Sequence, residues 1–127
     1  MPLTAKQELG QWGEEEATKY LQDLGYKIAE RNFKIRSAEI DIIAWHDKYH
    51  HGRTLCFVEV KTRSLKRDSA ERATDKNKLQ HIMKAAKAYC IEQGFDMDKT
   101  PIQFEHVSVY GTPKQGVSCR NFVIPVE

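Results

Sequence analysis

Apolar residues recur at helical spacing from Thr4 to Leu24, with Leu9, Gly10, Gly13, Ala17, Tyr20, Leu21 and Leu24 on one stripe. Thr4 followed three residues later by Gln7 has the form of a capping box, and Gly25 supplies a stop. The two glycines in the stripe let such a helix sit close on a sheet. Three extended segments follow. Tyr26 to Ile35 alternates loosely around Ile28, Phe33 and Ile35, whereas Ala38 to Trp45 and Thr54 to Lys61 are dense in Ile, Val, Phe and Leu. The polar stretch from Asp47 to Arg53 suits an antiparallel hairpin between the last two. A second helix is predicted from Asp75 to Gln93, where Leu79, Ile82, Met83, Ala86, Tyr89 and Cys90 follow the 3.6-residue period and Gly94 ends it. Strands at Pro101 to Tyr110 and Asn121 to Val126 complete the order α-β-β-β-α-β-β. No repeat, linker or low-complexity tract interrupts it, so residues 1–127 read as a single α/β domain with a mixed central sheet flanked by helices.

Composition narrows the class. With 40% hydrophobic and 30% charged residues, the chain has enough apolar mass for a real core. No stretch approaches the roughly 18 apolar residues of a membrane helix, and the opening Met1 to Lys6 lacks the apolar run of a signal peptide. Three distant cysteines, Cys56, Cys90 and Cys119, argue against a disulfide framework or a zinc site. The expectation is a soluble cytoplasmic protein with no membrane partner. Net charge is only +2, but from Lys61 to Lys87 nine basic residues face three acidic ones, giving +6, and the remainder carries −4. Such polarity can present a basic face to a polyanion; a solvated helix with its connecting loop accounts for it equally well.

The candidate chemistry lies where acids interrupt apolar strands. Period two puts Glu39 and Asp41 on one face with Ile43 and Trp45, and Glu59 and Lys61 on one face with Leu55 and Phe57, while Cys56, Val58 and Val60 point the other way. A buried unpaired carboxylate is costly, so these acids need cations or a metal. If the hairpin aligns the faces, Asp41, Glu59 and Lys61 converge at one end of the sheet. Two neighbouring carboxylates suit Mg²⁺, which takes one or two carboxylates plus waters and substrate phosphate, and the Val60 carbonyl is a further oxygen between the side chains. Such an ion activates water and neutralises charge on a phosphodiester, and Lys61 offers a point charge for phosphate. The plainer alternative is a structural ion pair of Lys61 with Glu59 or Asp41. On the first helix Glu15 falls on the polar face, and either Glu14 or Glu16 can reach the sheet edge; periodicity does not choose between them.

Other groups carry less. Adjacent His50 and His51 lack a third spaced ligand, His106 reads as a core or edge histidine, and Cys56 as a small core residue. Trp12 and Trp45 sit in amphipathic elements where packing is their expected role. Arg63, Lys66, Arg67 and Lys78 are the expected phosphate contacts, binding nucleic acid without reading sequence.

The motifs Gly10-x-x-Gly13-Glu14-x-x-Ala17, Arg31-Asn32-Phe33, Glu39-Ile40-Asp41-x-Ile43-Ala44, Phe57-Val58-Glu59-Val60-Lys61-Thr62-Arg63 and Lys78-x-x-x-Ile82-x-x-x-Ala86-x-x-Tyr89 together resemble the YraN-like uncharacterised protein family, with Phe104-Glu105 a weaker match. The resemblance covers most of the chain in order. That family is related to archaeal Holliday-junction resolvases and to the wider PD-(D/E)xK nucleases, so the resemblance implies a restriction-endonuclease-like three-layer fold. It implies Asp41 and Glu59 as metal-binding acids, Lys61 as the catalytic lysine, and Glu14 as the helix-one glutamate. The implied activity is Mg²⁺- or Mn²⁺-dependent endonucleolytic cleavage of DNA, branched or structured sites in repair and recombination included; RNA is a further candidate substrate. The resolvase relatives work as dimers, which makes a homodimer a candidate assembly. A non-catalytic nucleic-acid-binding module and a subunit of a repair complex are the competing expectations. Two departures stand out: Ala38 replaces the usual Gly before Glu-Ile-Asp, and Lys66-Arg67-Asp68-Ser69 replaces the Phe-Gly of the loop after the lysine strand.

Overall fold

Helix α1 (Ala5–Asp23) opens the chain. Its start is the predicted capping box: Gln7 N–H donates to Thr4 Oγ1 at 3.1 Å, and Thr4 N–H donates to Gln7 Oε1 at 2.9 Å. These bonds satisfy two of the donors that a helix start leaves orphaned. Strands β1 (Lys27–Ile35), β2 (Ala38–Lys48) and β3 (Gly52–Arg63), helix α2 (Lys76–Gln93), and strands β4 (Ile102–Thr112) and β5 (Gly116–Ile124) follow. The computed structural model describes residues 2–63 and 76–126. Element order matches the sequence reading. Strands lie side by side as β1-β2-β3-β4-β5, every neighbouring pair antiparallel except β3–β4, whose parallel pairing is spanned by the connection carrying α2.

The result is three layers. On one face Ala17 and Leu21 of α1 pack with Ile42, Ala44, Cys56, Val58, Val107 and Val109. On the other, Ile82, Ala85, Ala86, Tyr89 and Cys90 of α2 pack with Ile43, Leu55, Phe57 and Phe104. β3 is buried on both faces from Thr54 to Glu59, as a strand sandwiched between helices must be. The described helices include none long and apolar enough to cross a membrane.

Four expectations need correcting. Leu24 lies outside the core, 48% exposed, because it caps α1 rather than continuing its stripe. Met83 lies outside the core, 37% exposed, since α2 buries the Ile82–Ala85–Ala86 side of its turn. β5 begins at Gly116 rather than Asn121, because the hairpin with β4 pairs all the way to Thr112↔Gly116. The fourth bears on the site. Strict alternation puts Ile40 with Ile42, yet Ile40 packs on the α2 side with Ile43, while Ile42 packs on the α1 side. The alternation breaks around Asp41. The β2–β3 ladder ends at Ile42↔Val58, although β2 stays paired with β1 as far as Ala38↔Ile35.

Candidate functional site

Where the β2–β3 ladder ends, a side chain takes over from the backbone: Val60 N–H donates to Asp41 Oδ2 at 2.8 Å. Burial pushes the Asp41 carboxyl up to about 7; the carboxylates of Glu14, Glu59 and Glu39 push the same way, and the Val60 bond opposes them. Asp41 therefore sits in a half-buried position with three carboxylates acting on it, and the Lys78 ammonium also feels its charge.

Glu59 is fixed by the apolar run that precedes it. Leu55, Phe57 and Glu59 share the α2 face of β3 by period two, and Glu59 is 7% exposed. From α2, Lys78 Nζ approaches Glu59 Oε2 to 2.8 Å. From β4, whose His106 stands opposite Glu59 in the parallel register, His106 Nδ1 lies 3.9 Å from Glu59 Oε1. Burial pushes the His106 ring below the ordinary histidine value, more than Glu59 raises it, and its Nε2 is hydrogen-bonded with Ser108 Oγ at 2.8 Å. The expectation of a core histidine describes its burial; its contact with the Glu59 carboxylate was not anticipated.

Lys61, two residues beyond Glu59, has its ammonium pushed below the ordinary lysine value, first by the positive charge of Lys78 and then by burial, with Glu59 holding it up. For Lys78 burial works in the same direction, but Glu59 outweighs it and the net shift is upward.

Packing places Glu14, rather than Glu16, near Asp41. A Cβ on Gly13 would collide with Thr62 Oγ1, so glycine is what lets α1 rest on the end of β3 beside Lys61. That contact carries Glu14 to the Asp41 side. Its carboxyl is raised by burial, against Arg31 and with Glu39 adding to the rise, and Arg31 Nη2 lies 3.6 Å away. Arg31 also pairs with Glu15. Glu16 points elsewhere, pairing with Lys19 at 3.4 Å.

The remaining sequence candidates are placed as follows. Arg63 ends β3, half-buried. Lys66 and Arg67 lie outside the described residues. His50 and His51 occupy the exposed turn at the opposite end of the β2–β3 hairpin. Trp45 packs edge-on against Phe95 with ring centroids 5.4 Å apart. Trp12 lines an open groove with Glu14, Arg31, Asn32 and Glu39.

Among the described residues no three His, Cys, Asp or Glu side chains converge to hold a metal ion. The donors available are the Asp41 and Glu59 carboxylates, with Glu14 beyond them. Their chemistry fits a hard divalent cation, which takes oxygen ligands and needs only one or two from the protein. Every charged group that raises Asp41 is itself a carboxylate, a repulsion that a cation there relieves. The feature that sequence reasoning missed is Lys78 at Glu59. Its signal was present: Lys78 lies four residues before Ile82, on the apolar stripe of α2, where a lysine stem runs along the core.

The whole site falls within a span with known relatives. The model of a family described as uncharacterised protein family UPF0102 matches residues 13–109. A UPF0102 protein of Chlorobium chlorochromatii is 45% identical over 98 residues, 76% of this chain and 72% of the relative. One from Caldicellulosiruptor saccharolyticus is 37% identical over 119 residues, 93% of this chain and 95% of the relative. One from Syntrophomonas wolfei is 41% identical over 102 residues, 80% and 78% of the two chains. With the family model spanning Gly13 to Val109, and so taking in Glu14, Asp41, Glu59, Lys61 and Lys78, the chain belongs to the uncharacterised protein family UPF0102, the YraN-like family.

Proposed function

We propose that this chain is a Mg²⁺-dependent endonuclease of the PD-(D/E)xK type that hydrolyses DNA phosphodiesters, with branched or structured DNA among its substrates. The observation that carries the reading is the meeting of Asp41 and Glu59 where β2 and β3 stop pairing, with Lys61 two residues along the same strand. Asp41 and Glu59, with the Val60 carbonyl, would hold Mg²⁺ or Mn²⁺; bound there, the ion supplies an activated water and neutralises charge on the phosphodiester. Lys61 holds the scissile phosphate with a point charge. Glu14, backed by Arg31, orients water from the α1 side. Arg63, Lys66 and Arg67 bind flanking phosphates.

The test is cleavage of branched DNA, linear DNA and RNA with Mg²⁺ or Mn²⁺. Asp41→Ala and Lys61→Ala are each expected to lower the rate at least about a hundredfold. Undiminished cleavage by a folded Asp41→Ala/Lys61→Ala double variant overturns the reading.

A second reading, a non-catalytic nucleic-acid-binding module or repair-complex subunit, draws support from a specific contact. Glu59 already has Lys78 as a counter-ion, so its burial is explained without a metal. DNA binding that survives both Asp41→Ala and removal of divalent ions favours the module. Sedimentation of the chain with and without DNA tests the homodimer.

A further inference from the structure

Lys78 and a divalent cation want the same oxygen. The ammonium lies 2.8 Å from Glu59 Oε2, and a Mg²⁺ on that oxygen sits about 2.1 Å from it. Two positive charges cannot share that position without strong repulsion, and Lys61 adds a third. The two partners differ in freedom. Glu59 is 7% exposed and fixed on a central strand, whereas the Lys78 side chain is 42% exposed on a flexible stem from α2. Only the lysine can yield.

We propose that Lys78 is the resident counter-ion of Glu59, occupying the carboxylate in the metal-free chain and leaving it for a phosphate oxygen when a divalent cation and nucleic acid arrive together. This rests on reading Asp41 and Glu59 as a metal site. It gives Lys78 a part other than a simple phosphate contact. A lysine that only contacts phosphate leaves metal affinity unchanged when removed, and one that only supports the fold weakens it. A competing counter-ion strengthens it. Exchange of Lys78 between Glu59 and phosphate also makes metal and nucleic acid each favour the other's binding, by linkage.

Mn²⁺ alone, titrated calorimetrically into wild type, Lys78→Met, Lys78→Arg and Asp41→Ala, separates these outcomes, with each fold checked by circular dichroism. Lys78→Met is expected to bind Mn²⁺ about tenfold more tightly than wild type, a Coulomb effect discounted for partial exposure. Lys78→Arg is expected to stay near wild type, and Asp41→Ala to lose binding. Lys78→Gln keeps a hydrogen-bond donor for Glu59 without the charge and must tighten binding likewise, which covers instability of Lys78→Met. Loss in Asp41→Ala with unchanged or weaker binding in both neutral Lys78 variants overturns the counter-ion role and leaves the metal site standing. No Mn²⁺ binding in wild type or either neutral variant, or binding that survives Asp41→Ala, overturns both.

Discussion

Asp41 works against the fold that holds it. Its carboxyl is pushed up to about 7, from an ordinary value of 3.8, by burial and then by the surrounding carboxylates. Between those values the folded chain binds the proton more tightly than the unfolded chain, so stability falls as pH rises through that window and the cost is fully present above it. With divalent ions chelated, Asp41→Asn keeps an acceptor for Val60 N–H and loses the charge. In urea unfolding it should exceed wild type by about 1–2 kcal/mol at pH 8, with the gap closing toward pH 4. Equal stability at pH 8 would mean that the charge is already compensated. Gly13 makes the opposite kind of contribution. Gly13→Ala drives a methyl group into Thr62, an overpacking that should cost about 1–3 kcal/mol in thermal or denaturant unfolding. Adding Thr62→Ala, which removes the colliding hydroxyl, should recover part of the loss; no recovery would place the strain elsewhere.

At the scale of elements, charge pairs tie the strands together away from the candidate site. Glu105 of β4 is 1% exposed; Tyr26 Oη, just before β1, donates to its Oε1 at 2.6 Å, and Lys48 at the end of β2 reaches its Oε2 at 2.9 Å. Lys48 Nζ also donates to Tyr26 Oη at 2.8 Å. Removing one partner of a buried pair leaves the other charged and desolvated, so Lys48→Met should cost roughly 3 kcal/mol in denaturant unfolding. Lys48→Met with Glu105→Gln should return most of it, and a double variant as unstable as the single would refute the pairing. Nothing in the sequence announces this network, because its members are 22 and 79 residues apart and meet only through sheet order. Local signals fared better. The capping box of α1, the period of α2 and the β2–β3 hairpin are short-range chemistry, and each is where the sequence puts it. β5 was half hidden because, on this edge strand, the Gly116 to Arg120 half has only Val117 and Cys119 as apolar residues, and Val117 is exposed. The meeting of Asp41 with β3 was legible only as two faces that needed aligning. The break in alternation that turns Ile40 from Ile42 was not, since it arises where pairing to β3 gives way to a carboxylate–amide bond. Lys78 shows the same limit: its stripe was visible, its partner on another element was not.

Across the whole molecule, a net charge of +2 conceals two opposed fields. At the candidate site they meet: the carboxylates of Glu14, Glu39, Asp41 and Glu59 interleave with the cations Lys61, Arg63 and Lys78, which touch at the Lys78–Glu59 pair. On the proposed function, a nucleic acid would be drawn by the cations and repelled by the carboxylates, so without divalent ions its binding should be weak and strongly salt-dependent. Each phosphate contact contributes roughly one unit to the slope of log affinity against log salt, so Arg63→Ala should flatten that slope by about 1 without changing preference among sequences. Mg²⁺ should change the balance rather than only screen it. By cancelling the repulsion of Asp41 and Glu59, it should tighten DNA binding in wild type at constant ionic strength, and fail to do so in Asp41→Ala, whose acidic pair is already broken. Fluorescence anisotropy of a labelled DNA, with Mg²⁺ exchanged for Na⁺ at fixed ionic strength, reads both effects. Equal tightening in wild type and Asp41→Ala would assign the ion to the DNA's own counter-ion atmosphere, and the two fields would then act on nucleic acid as attraction and repulsion alone.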